Sequence, residues 1–330
     1  MQESDCAKYL GSFVTPNGGV RNTIEDRRKK GWGKVAQILG ILSEVNVGYH
    51  RVEVGLMLRR AILTNSLLFS AEAWSAVTEK EIKRLEVVDT ALLRSLVNGH
   101  SKCPVVFHYL ETGSLMLRHI LTFNRLMYHH HILSRDKNET IQKIYLKQKE
   151  DSIKGDWYKL LLQDFEFIGI EINEDVIRDT PKNIYKKKIK YLVRSAAFNY
   201  YMKKKADLSK LNEVEYKSLE IQPYLTNKMF NNEEINLLYS MRSRCHPSKL
   251  NFRKFHAKNL KCTFGCDSFE DQKHNFQSCN PILSQMKSKH NGKYEDIFGK
   301  VCEQKNAISE FIKIETVRKE MKEQILPGGV

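Results

Sequence analysis

The chain has 330 residues, 41% of them hydrophobic, and a formal net charge of +15. That length suits about two domains with real cores, and recurring apolar periodicity excludes a disordered chain. No run of 18 or more apolar residues occurs, so neither a transmembrane helix nor a membrane partner is expected.

The opening MQESDCAKYL lacks a basic segment followed by an apolar one, so no secretory signal is expected. Seven cysteines, three of them clustered, predict an intracellular protein, nuclear or cytoplasmic, with metal-bound or free thiols. The charge is concentrated: residues 178–261 hold 20 lysines and arginines against 7 acids. A one-signed stretch beside aromatics points to a polyanion, with nucleic acid ranked above an acidic protein or an anionic surface.

Residues 8–20 read as a short strand followed by a turn at Pro16–Gly19. From Ile24 the spacing turns helical through Trp32, Val35, Ile38, Leu39 and Leu42, although Gly31 and Gly33 weaken the pattern. Residues 51–70 predict a second, buried helix. A third starts at the capping box Thr78–Glu81 and closes at Asn98-Gly99. Helices are expected over 113–134 and 139–150, while 155–170 mixes a helical start with a strand-like end. A long basic helix is predicted over 182–205, with Ile189, Leu192, Val193, Ala196, Ala197 and Tyr200 on its apolar side. A final helix covers 304–324. No repeat, low-complexity segment, Gly-rich phosphate loop or βαβ unit is evident. The fold class is therefore mostly α.

The stretch CTFGCDSFEDQKHNFQSC places Cys262, Cys266, His274 and Cys279 at C-x3-C-x7-H-x4-C. Thiolates and imidazole in two close pairs suit a tetrahedral zinc ion, and Gly265 suits the tight turn between the first pair. Four protein ligands imply a closed, structural site rather than a catalytic one. The signatures of a zinc deaminase, a nucleophile elbow and a zinc protease are absent from the sequence. His246, His256 and His290 fall outside the compact pattern. His129, His130 and His131 point about 100° apart on a helix, so they suit a surface or an interface better than one ion. Trp32, Trp74 and Trp157 read as core residues.

Two stretches together resemble a known family. KYLGSFVTPNGG at 8–19 and LLFSAEAWSAVTEKEIKRLEVVDTALLRSLVNG at 67–99 are similar to the segment after the palm of LINE-type (non-long-terminal-repeat) retrotransposon reverse transcriptases. The matches are Lys8, Tyr9, Leu10 and Gly11; Leu67, Leu68, Glu72 and Trp74; and Leu93 with Arg94. Phe69 and Ser70 replace the usual tyrosine and glycine. Residues 235–281 resemble the basic helix and C-terminal zinc knuckle of many such elements, ending here in Cys279-Asn280-Pro281. The family's polymerase site needs paired aspartates for two metal ions. This sequence has no Asp-Asp pair, so the resemblance covers the part downstream of the palm and implies inactivity alone.

The resemblance implies a thumb-like helical region at 1–110, a basic helical linker at 111–234, and a basic helix, CCHC knuckle and C-terminal helix at 235–330. Partners would be RNA or DNA, and the upstream polymerase domains in a full-length element. Lys186, Lys187, Lys188, Lys190, Arg194, Lys203, Lys204 and Lys205 would neutralise phosphates. Arg242, Arg244, Lys249, Arg253, Lys254, Lys258 and Lys261 would extend that track to the knuckle. Phe264 and Phe269 would stack on unpaired bases, whereas Phe276 suits packing around the metal. The rival readings are a host protein retained from such an element, and a zinc-stapled helical scaffold for nucleic acid or a protein partner.

Overall fold

Apolar spacing and end-capping residues account for most of the architecture. The computed structural model describes residues 7–9, 12–14, 19–44, 51–151, 156–249, 259–286 and 290–325. It is mostly helical. Strands β1 (Ala7–Tyr9) and β2 (Ser12–Val14) pair antiparallel with Lys8 opposite Phe13. The Phe13 amide donates to Thr23 Oγ1 at 2.8 Å, which ties the hairpin to the first helix. Leu10, Gly11 and the expected turn from Pro16 to Gly18 lie outside the described residues.

Helix α1 (Arg21–Glu44) runs through both glycines and buries Ile24, Val35, Ile38 and Leu42. A Cβ at Gly31 would lie 2.6 Å from Leu67 Cδ2 and 3.1 Å from Val88 Cγ1, so glycine permits close helix packing there. Trp32 is 41% exposed, contrary to expectation. The buried stripe passes through Arg27, Gly31 and Val35, and Trp32 lies about 100° off it.

The helix expected over 51–70 is interrupted. It consists of α2 (Arg51–Leu58), a π-helical turn (Arg59–Thr64) and α3 (Asn65–Leu67). Arg59 turns inward to pair with Asp89 and donates to the Leu115 carbonyl at 2.9 Å. Helix α4 (Glu79–Leu96) carries the predicted capping box: Thr78 Oγ1 accepts from the Glu81 amide, and Glu81 Oε2 accepts from the Thr78 amide at 2.8 Å. Asn98, at φ +47°, follows its end.

Helices α5 (Val105–Glu111), α6 (Leu117–Leu133), α7 (Thr140–Asp151), α8 (Trp157–Ile168), α9 (Glu174–Asp179) and α10 (Lys182–Ala206) follow. The stretch expected to end strand-like stays helical to Ile168, because Trp157, Leu161, Phe165 and Ile168 continue one buried stripe. His129 and His130 are buried rather than facing solvent. His129 Nε2 lies 3.1 Å from Tyr145 Oη, and His130 Nε2 lies 2.9 Å from the Thr180 carbonyl. Burial lowers the His129 pKa to about 4.

The remaining helices are α11 (Asn232–Arg242), α12 (Gln272–Gln277), α13 (Asn280–Gln285) and α14 (Val301–Ile325). One buried cluster joins α1 to α5, the second half of α10, α11 and the last three helices. A second cluster lies among α6, α7, α8, α9 and the first half of α10. Helix α10 serves both, placing Tyr185, Ile189 and Val193 in one and Ala197 and Tyr201 in the other.

Glu111, fully buried, links distant segments. It accepts from Tyr216 Oη at 2.6 Å, from Tyr224 Oη, and from Arg242 Nη2 at 3.0 Å. Removing its charge would leave the Arg242 guanidinium buried and unmatched. Glu111→Gln is therefore expected to lower the unfolding free energy by about 3–5 kcal/mol, measured by urea denaturation against the parent.

Candidate metal centre

Local sequence builds the site. Gly265, at φ +87°, turns the chain between Cys262 and Cys266. Around it the backbone closes a small hairpin. The Cys262 amide donates to the Ser268 carbonyl at 2.9 Å, the Glu270 amide donates to the Leu260 carbonyl at 2.8 Å, and Lys261 bridges to Phe269. Asp271 then caps α12, its Oδ1 accepting from the His274 amide at 2.6 Å. Cys279 occupies the position before α13.

These elements bring together all four predicted ligands. The donor atoms of Cys262, Cys266, His274 and Cys279 lie within 4.8 Å of one another. The Cys279 sulfur lies 3.7 Å from that of Cys262 and 3.8 Å from that of Cys266. A disulfide would require about 2.05 Å. A tetrahedron with metal–sulfur bonds of about 2.3 Å has sulfur–sulfur edges of about 3.8 Å. His274 Nε2 is buried with no hydrogen-bond partner among the described residues, as a ligand nitrogen would be. The cluster could hold a metal ion.

The electrostatics agree. Burial raises the Cys266 and Cys279 thiols, and the neighbouring Cys262 raises them further. Opposing donors work the other way: backbone bonds at Asn280 and Ile282 lower Cys266 and Cys279 respectively. A bound cation would hold the thiols as thiolates.

The surroundings fasten the hairpin to the core. Glu270 is buried, accepts from Thr263 Oγ1 at 2.5 Å and pairs with Arg318 of α14. Gln272 Nε2 donates to the Met241 carbonyl at 2.7 Å and to Tyr294 Oη at 2.6 Å. Phe276 is fully buried and stacks on Phe311 at 5.7 Å, the core role expected for it. Glu270, Gln272 and Arg318 were not singled out by sequence. Their partners lie 31 to 48 residues away for the bonds to Met241 and Glu270, beyond the reach of any local motif.

The expected basic track divides in two. On α10, Lys186, Lys187, Lys188, Lys190, Lys203 and Lys204 are exposed, and Lys205 is half-buried. Arg194 is half-buried and donates to the Leu219 carbonyl. Near the cluster the cations have other employment. Arg242 is the clear correction: its side chain is 3% exposed, paired with Glu111 and bonded to the Ile297 carbonyl at 3.2 Å, so it is a core residue. Arg244 pairs with Glu213 at 2.6 Å. Lys249 donates to the Lys261 carbonyl at 2.7 Å, and Lys261 pairs with Asp267. Arg253, Lys254 and Lys258 lie outside the described residues. Phe264 packs partly against the core, whereas Phe269 is 60% exposed on the hairpin.

No protein-family model, curated protein or solved structure matches the chain.

Four inward ligands make one divalent metal ion per chain the expected stoichiometry. Cys279→Ser should lose it and speed amide exchange over 260–282, leaving α4 protected. Native mass spectrometry and hydrogen exchange read both effects. Retained metal in the variant would refute the ligand set.

Proposed function

We propose that the chain is a zinc-stapled, nucleic-acid-binding helical module, with the C-terminal region of a LINE-type reverse transcriptase as its origin. The observation that carries the binding reading is helix α10. Its 25 residues include nine lysines and arginines and no acid. Among the described residues, Lys186, Lys187, Lys188 and Lys190 form no ion pair. Cations left in water without carboxylates gain most from a polyanion, whose bound counterions they release.

Three sulfurs and one nitrogen favour zinc over calcium or magnesium, which take oxygen ligands. In a site of this composition the ion acts as a structural staple and supplies no reaction chemistry. Cys262, Cys266, His274 and Cys279 would hold it, and Glu270 and Gln272 would transmit that rigidity to α14 and α11. The resemblance at 8–19, 67–99 and 235–281 supports the origin in an element or in a host gene derived from one.

Salt dependence tests the binding reading. Each phosphate neutralised contributes a slope of about −0.7 to −0.9 in the double-logarithmic plot of affinity against salt. The triple variant Lys186→Gln, Lys187→Gln, Lys188→Gln should flatten the parent slope by about 2 to 3. An oligonucleotide affinity that ignores salt, or no binding in dilute buffer, would contradict the reading.

A further inference from the structure

A cleft of about 870 Å³ opens between the π-helical turn at Arg59–Thr64 and helix α10. Arg60 faces it from one side, and Lys190 and Arg194 from the other. The turn matters, because a π-helical insertion shifts the residues after it by part of a turn and recurs at functional sites. Here Thr64 lines the cleft, and its buried Oγ1 has no hydrogen-bond partner among the described residues. A buried hydroxyl without a partner costs free energy.

Tyr191 follows Lys190 on the same helix and is 73% exposed. Lys187, Lys188 and Arg194 lie three or four residues from it, so they share its face. An aromatic ring that water surrounds on a helix without acids is a platform on which a base can stack. Two carboxylates, Glu53 and Glu220, also line the cleft. They would repel a wall of duplex phosphates. Glu220 can accept hydrogen bonds from base amino groups, both of whose protons a single strand exposes and one of which pairing occupies in a duplex.

We infer that this cleft and the adjoining face of α10 bind a single-stranded polynucleotide, with Tyr191 stacking an unpaired base and Arg60, Lys190 and Arg194 holding its backbone. The inference rests on the nucleic-acid reading above and narrows it to unpaired strands. It adds Arg60 and Tyr191 to the binding surface.

The test uses the purified full chain, a labelled mixed-sequence single-stranded RNA and the duplex of the same sequence, read by fluorescence anisotropy. Tyr191→Ala should weaken single-strand binding roughly tenfold or more while sparing the duplex. Tyr191→Phe, which keeps the ring, should bind as the parent does. Arg60→Gln should weaken the single strand and flatten its salt slope by about 0.7. Equal losses for both substrates with Tyr191→Ala, or no loss, would overturn the cleft while leaving general nucleic-acid binding intact. A parent protein that binds neither substrate would overturn both readings together.

Discussion

Three thiols and an imidazole nitrogen packed within 4.8 Å, three of the four residues buried, form an arrangement that apolar packing alone does not favour. Burial, and after it the neighbouring Cys262, raises the Cys266 and Cys279 thiols, and the ring Nε2 of His274 has no protein partner among the described residues. A soft divalent cation resolves both problems at once, by matching the thiolates and by accepting the nitrogen lone pair. The hairpin around Gly265 has little core of its own. The Glu270–Arg318 pair and Gln272 tie it to the core, and an ion held by the cluster would add a second constraint. These contacts add to the direct tie between α11 and α14 made by Glu234 and Lys305 at 2.5 Å.

The second organising feature is how the chain disposes of its charge. Arginines go inward where a carboxylate is waiting: Arg59 with Asp89, Arg125 with Asp164, Arg242 with Glu111 and Arg318 with Glu270. The planar guanidinium matches a carboxylate and loses less hydration than an ammonium does. Lysines stay outside, above all on α10, whose buried stripe is Tyr185, Ile189, Val193, Ala197 and Tyr201. Because each of these buried arginines takes a carboxylate inside with it, the net charge of +15 stays with the remaining residues, and helix α10 alone holds nine cations and no acid.

This division explains what the sequence revealed and what it concealed. The clustering of Cys262, Cys266, His274 and Cys279 was legible because their spacing is short and their chemistry narrow. The capping box at Thr78 was legible for the same reason. Half of the α10 stripe followed from its period: Ile189, Val193 and Ala197 are buried as expected, whereas Leu192, Ala196 and Tyr200 are half-buried and Tyr185 and Tyr201 complete the buried face. The Phe276 core role followed from its surroundings. Arg242 misled because its partner, Glu111, lies 131 residues away, so its burial is a tertiary fact. His129 and His130 misled because buried hydrogen bonds to Tyr145 and Thr180 make polar side chains acceptable inside. The π-helical turn leaves no local signal, since residues 59–64 continue the apolar pattern of α2. Trp32 shows that a long helix can place one large side chain just outside the stripe that its neighbours define.

The account stands on sulfur and nitrogen coordination of one ion, and X-ray absorption at the zinc edge of the purified protein examines that directly. It predicts an inner shell of three sulfurs at about 2.3 Å and one nitrogen at about 2.0–2.1 Å. A shell of oxygen or nitrogen atoms without sulfur would contradict it.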